Sequence, residues 1–267
     1  MSVLVMVLSA GAIILCVRYG LVNAIDQLAG ALGWTAKARG QATGYATSSP
    51  EFVALVAAGL SGVWEAGLWN IAASNLINAG LMLVAVLRYG QLKELFNRRF
   101  ADEIGFAIVG VAAPLLLMKL ELDTSWAVVP ILLGVFVCYQ LLDRRLNASS
   151  PTPAEDAVGS LPLGLILTVT ALVLIAVAGT FLGDATKAVV EQMGIRPALA
   201  GWLLGVVTSL PEVVTFFTVY GTAKKEGKLH QLEDTQEVLD NLAASNMSNT
   251  ALIYPVGLAI FLLVTGG

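Results

Sequence analysis

Long apolar runs alternate with short charged ones along this chain, and the runs have the length of membrane crossings. Uncharged stretches of about 17–25 residues predict spanning helices, and the clearest are 66–87, 124–142, 157–183 and 241–267. Two more, about 40–62 and 197–221, are interrupted only by Glu51 and Glu212. The opening run 2–17 is followed by Arg18 and Asp26, which predicts one long first helix reaching about Leu32. With no basic leader or convincing cleavage pattern, that run reads as a mature helix rather than a signal peptide. Residues 104–118 are short but wholly apolar, and bring the expected number of spans to eight.

Composition agrees. Of 267 residues, 57% are hydrophobic and 13% charged, about half the charge of a soluble domain. The fold class expected is an all-α polytopic membrane protein. Basic residues set its orientation. With the N-terminus outside, inward loops hold eleven, among them Lys37, Arg39, Arg88, Arg144, Arg145, Lys224, Lys225 and Lys228, against Lys119, Lys187 and Arg196 outside. That bias satisfies the positive-inside rule and predicts a plasma (inner) membrane protein with a cytoplasmic central loop. Cys16 and Cys138 lie in apolar spans and read as small buried hydrophobes. His230 lies in a charged loop and reads as solvated.

The segment 143–160, "DRRLNASSPTPAEDAVGS", is rich in Pro, Ser and charge and reads as a linker. It divides the chain into a first half, 1–142, with five spans, and a second, 161–267, with three. The halves repeat each other. "GYATSSPEFV" (44–53) aligns with "GVVTSLPEVV" (205–214), and "NIAASNLIN" (70–78) with "NLAASNMSN" (241–249). Ten extra residues separate the two motifs in the second copy, within "GTAKKEGKLHQLEDTQEVLD", and they are expected in a loop. Helices two and three match helices seven and eight. Each helix is offset from its counterpart by five spans, an odd number, so the copies must run through the membrane in opposite directions. Such an inverted repeat places a shared site near the midplane.

The repeated residues have a common chemistry. Pro50 and Pro211 cannot donate a backbone hydrogen bond and displace the carbonyl four residues back, which predicts discontinuous helices with freed carbonyls at Ala46 and Val207. Thr47, Ser48, Thr208 and Ser209 add hydroxyls within a turn of Glu51 and Glu212. On the following helix Asn70, Ser74 and Asn78, and in the second copy Asn241, Ser245 and Asn249, recur at i, i+4, i+8 and form one polar stripe. Carboxylate, hydroxyl, amide and carbonyl oxygens, without thiolate or imidazole, suit hard cations such as Ca2+, Na+ or Mg2+. One divalent cation neutralises both carboxylates; so do two Na+ or two protons. Left empty in a low dielectric the pair would repel, so the site should cross the membrane only in compensated form. That is the physics of exchange.

"TSSPE" and "TSLPE", each followed by "AASN", resemble the two α-repeats of the calcium/cation antiporter superfamily, which includes sodium/calcium and proton/calcium exchangers. The likeness covers roughly 40–88 and 197–255. It implies Glu51 and Glu212 as central ion ligands, with Thr47, Ser48, Thr208 and Ser209 beside them. Ser74, Ser245, Asn78 and Asn249 would line flanking monovalent-ion sites. The family's glycines before Thr and before Ser-Asn are here Ala46, Val207, Ala73 and Ala244, and an Asp found in some members is Asn249. The family usually has five helices per half. Three in the second half imply a shortened member or an edge supplied by another protomer, hence a homo-oligomer.

The function expected is secondary antiport of Ca2+ or a related divalent cation for Na+ or H+, with inorganic cations and the bilayer as partners. No cofactor, nucleic acid or enzyme activity is expected: the sequence has no His/Cys metal cluster, nucleophile–base pair or phosphate loop. The rivals are a passive cation channel and a non-transporting shortened homologue that binds cations.

Overall fold

The computed structural model describes residues 2–33, 42, 45–146, 159–227, 229 and 232–266. Lys37, Arg39, Lys228, His230 and most of the linker lie outside the described residues. Every element among those described is helical. Helix α1 spans Ser2–Leu32, with a π-turn at Val17–Leu21. Then come α2 (Ser49–Leu60), α3 (Trp64–Tyr89), α4 (Ala101–Lys119), α5 (Val128–Leu146) and α6 (Leu161–Glu191). The last four are α7 (Pro197–Thr208), α8 (Leu210–Glu226), α9 (Leu232–Ser248) and α10 (Tyr254–Thr265), with a π-turn Asn249–Ile253 joining the final pair.

Five helical stretches are long and apolar enough to cross a membrane: Ser2–Leu32, Trp64–Tyr89, Arg98–Lys119, Leu161–Glu191 and Asp234–Thr265. The expected spans at 40–62 and 197–221 are not continuous helices. Each is interrupted at a serine, Ser48 (φ −83°, ψ 0°) and Ser209 (φ −79°, ψ −2°). The near-identical dihedrals fall at the edge of the helical region, and each break lies two residues before a proline that becomes the second residue of the next helix. The two duplicated motifs therefore share one local backbone.

The expected loop between the second pair of motifs is mostly helix. Helix α8 continues to Glu226, and α9 begins at Leu232, nine residues before the expected span. Hydropathy misses this because six of the nine residues Leu232–Asp240 are polar. The helix's apolar positions Val238, Leu239 and Leu242 recur at helical spacing and pack with Phe216, Tyr220 and Phe100. The first residues of the expected linker, 143–146, complete α5.

Outer surfaces are apolar, as on α6, where Leu165, Ile166, Val169, Val173 and Val177 are exposed. Cys138 is exposed on α5 and Cys16 half-buried on α1, so neither is the fully buried hydrophobe expected. The interior is where polar groups collect, chiefly on α3 and α9. Small residues allow this packing. A Cβ on Gly201 of α7 would stand 2.4 Å from Trp69 Cβ and 2.5 Å from the Ala66 carbonyl. On Gly205 it would stand 2.8 Å from Ala73 Cβ. Helix α7 thus lies backbone-to-backbone on α3, the approach that small residues permit in lipid. Behind this pair, Met6, Ile13, Ala54, Leu182 and Leu204 form a core joining α1, α2, α6 and α7. On the other flank Trp64 of α3 stacks on Phe261 of α10 at 4.7 Å.

Candidate functional site

The duplicated breaks set two carboxylates at the start of two helices, Glu51 in the first turn of α2 and Glu212 in the first turn of α8. Glu51 is wholly buried and Glu212 is 2% exposed. The buried charged side chains among the described residues are these two and Glu103; none is Lys or Arg. Among the described residues, therefore, no buried Lys or Arg neutralises the pair.

Helix α3 supplies partners to both motifs. Ser74 Oγ donates to Glu51 Oε1 at 2.8 Å and lies 2.9 Å from Ser209 Oγ. A carboxylate only accepts, so the single Ser74 proton goes to Glu51, and Ser209 donates to Ser74. Thr208 Oγ1 donates to Asn70 Oδ1 at 3.2 Å. The second carboxylate repeats the arrangement: Ser245 Oγ donates to Glu212 Oε1 at 3.3 Å, and Asn78 Nδ2 donates to Ser245 Oγ at 3.5 Å. Each acid is thus held by the serine of its own repeat, and each serine touches the opposite repeat.

Of the residues singled out in the sequence, Glu51, Glu212, Ser48, Ser209, Thr208, Asn70, Ser74, Asn78, Ser245 and Asn249 are all buried. Thr47 and Asn241 are half-buried. Pro50 is buried beside Ser48, and Pro211 occupies the matching place in α8. The freed carbonyls expected at Ala46 and Val207 are occupied. Ser49 Oγ donates to the Ala46 carbonyl at 2.5 Å, and the Ser209 N–H donates to that of Val207. A serine next to each break answers the bond the proline removes.

Several buried polar atoms of this core are without partners, among them Asn70 Nδ2, Asn241 Oδ1 and Asn246 Oδ1, and four more are oxygens of the two acids and of the matched Asn78 and Asn249. Glu51 Oε2, Glu212 Oε2, Asn78 Oδ1 and Asn249 Oδ1 are all buried and accept no hydrogen bond. Buried acceptors in native proteins are almost always satisfied, and all four are oxygens suited to a hard cation. No three His, Cys, Asp or Glu side chains cluster as metal ligands among the described residues. A cation here would be held by two carboxylates and neutral oxygens.

The sequence reading missed a second polar layer. Asn75 and Asn246 close the two "AASN" motifs, and each donates its amide to the other's backbone carbonyl, at 3.4 and 3.2 Å. Asn75 also donates to the Gly110 carbonyl of α4 and to Thr250 Oγ1, both at 2.8 Å. Their alignment was a visible signal; their partners were not. Glu103, in the first turn of α4, was also missed. It is 3% exposed and accepts from Gln236 Nε2 at 2.8 Å.

A protein-family model described as sodium/calcium exchanger protein matches residues 1–142 and 163–265. No curated protein and no solved structure matches the chain.

Proposed function

The chain belongs to the family of sodium/calcium exchanger proteins, and on that footing we propose that it trades Ca2+, or a related divalent cation, for Na+ or H+ at the Glu51–Glu212 site. The family is one of transporters rather than enzymes, and the long apolar helices make this an integral membrane protein. The observation that carries the proposal is a pair of buried carboxylates, each with one oxygen that accepts no hydrogen bond and with no buried Lys or Arg among the described residues.

In this reading the divalent cation is cargo. It binds Glu51 Oε2 and Glu212 Oε2, whose other oxygens Ser74 and Ser245 hold in place. Its departure leaves two negative charges in a low dielectric, a costly state. Na+ bound to the same oxygens, or protons taken by the carboxylates, restores neutrality before the site reopens on the other side. The breaks at Ser48 and Ser209 let the two arms of each motif move separately. The inverted relation of the repeats would give the two faces of the membrane equivalent gates.

Liposomes containing the purified chain should concentrate Ca2+ against its gradient when an outward Na+ gradient or a pH gradient is imposed. Glu212→Gln should reduce this to the level of empty vesicles. Uptake that only follows the Ca2+ gradient would identify a channel. Exchange at the normal rate in Glu212→Gln would remove the carboxylate pair from the mechanism.

A further inference from the structure

Helix α4 lies outside the duplicated motifs, yet its backbone takes part in the polar core. Pro114 sits inside this helix and is buried. A proline has no N–H to give to the carbonyl four residues back, and its ring crowds that carbonyl. Here that carbonyl belongs to Gly110. In lipid a freed carbonyl needs a donor from a neighbouring helix, and this one has two. Asn75 Nδ2 of α3 donates to it at 2.8 Å, and Thr250 Oγ1, in the π-turn after α9, at 2.7 Å. Both of its lone pairs are then taken. Glycine at 110 permits the approach, since a Cβ there would stand 2.7 Å from Asn246 Cβ and 3.0 Å from the Asn246 carbonyl oxygen.

The amide held in this way joins the two repeats. Asn75 Nδ2 also donates to Thr250 Oγ1 at 2.8 Å, and Asn75 Oδ1 accepts from Asn249 Nδ2 at 2.9 Å. Asn246 Nδ2 donates to the Asn75 carbonyl at 3.2 Å. Helices α3 and α9 are thereby tied where they cross. The tie lies one residue beyond Ser74 on α3 and one beyond Ser245 on α9, the serines that donate to Glu51 and Glu212.

From this chain of contacts we infer that Pro114 is a positioning residue of the cation site. It keeps the Gly110 carbonyl open for Asn75 and Thr250, which fixes the crossing of α3 and α9 and so the spacing at which Ser74 and Ser245 hold the two acids. The inference rests on the exchange reading above: a divalent cation bound by both carboxylates is sensitive to their spacing. Any other residue at position 114 would restore a backbone N–H. Three donors would then compete for two lone pairs, and the alternative acceptor for Asn75, the Asn246 carbonyl, is 3.4 Å away. Removing the Thr250 hydroxyl relieves the competition, because two donors again meet two lone pairs. A proline that merely bent α4 would show no such relief.

The test is Ca2+ exchange by the full chain in liposomes, under whichever of the Na+ and H+ gradients drives the parent. Half-saturation for Ca2+ and the maximal rate are measured separately. Pro114→Ala should raise the half-saturation roughly tenfold, as loss of a supporting partner does at metal sites, and leave the maximal rate within about twofold, the split of a binding defect. Thr250→Val alone keeps the bond from Asn75 to Gly110 and should stay within about twofold of the parent, and adding it to Pro114→Ala should bring the half-saturation back to that range. Pro114→Gly supplies the same N–H if Pro114→Ala does not fold. Parent half-saturation in the Pro114 variant overturns the inference and leaves the exchange reading intact. So does a shift that Thr250→Val fails to relieve. Absence of exchange by the parent under either gradient overturns the exchange reading itself.

Discussion

Ser74 ties the two acidic motifs together. It spans the two repeats, bonded to Glu51 on one side and Ser209 on the other. Replacing it by alanine removes a buried carboxylate's hydroxyl donor, at a cost of about 1–3 kcal/mol, and leaves Ser209 Oγ the long 3.5 Å bond to the carbonyl of residue 74. Ser74→Ala should therefore lower thermal stability in detergent, and added Ca2+ should restore less of it than in the parent protein. Unchanged Ca2+ stabilisation would separate Ser74 from the cation site. At this scale the sequence was informative. The duplicated acids, serines and asparagines stand out because an i, i+4 stripe of polar residues has no purpose on a lipid-facing helix. Asn75 was less legible. It lies one position beyond the stripe, about 100° around the helix, and its partners include a backbone carbonyl of α4, a helix outside the repeat. Nothing in local spacing identifies such a partner.

Helices were legible in number of apolar runs and less so in extent. Prolines marked the breaks, but their place, at Ser48 and Ser209, depends on which residue gives up its helical dihedrals to accommodate the ring. Helix α9 was hidden because its first turns are polar outside and apolar only on the face against α8. The contact of α7 with α3 offers a direct test. Gly201 has no room for a side chain against Ala66 and Trp69, so Gly201→Val should force the helices apart and destabilise the protein by about 1–3 kcal/mol. The measurement is a thermal melt, with Gly80→Ala as the comparison, since a Cβ there meets nothing within 4 Å. Equal melting of the two variants would rule out a close α7–α3 seam.

For the whole molecule the decisive quantity is charge. Two carboxylates face the proposed cargo, and among the described residues no buried Lys or Arg accompanies them. A site of fixed charge −2 that always crosses neutral must exchange one divalent cation for two monovalent ones. Exchange by liposomes should then be insensitive to an imposed potential. A unit of net charge moved across 100 mV would instead be worth about 2.3 kcal/mol, a change in driving force readily seen when K+ and valinomycin set the voltage. A strong voltage dependence would require a third charge in the transported complex.

The π-turn at Asn249–Ile253 bears on how the two halves are compared. At the matching place α3 runs through as regular α-helix. A π-turn holds one more residue than the α-helical turn it replaces, so the copies stay in phase through Asn78 and Asn249 and fall out of phase after them. Gapless matching beyond that point equates residues that face different ways. A reconstructed ancestral half, or an artificial chain built by duplicating one repeat, needs a one-residue gap there. Without it, Tyr254 and Leu258, which pack with Leu55 and Trp64, would be assigned to the wrong side of the helix.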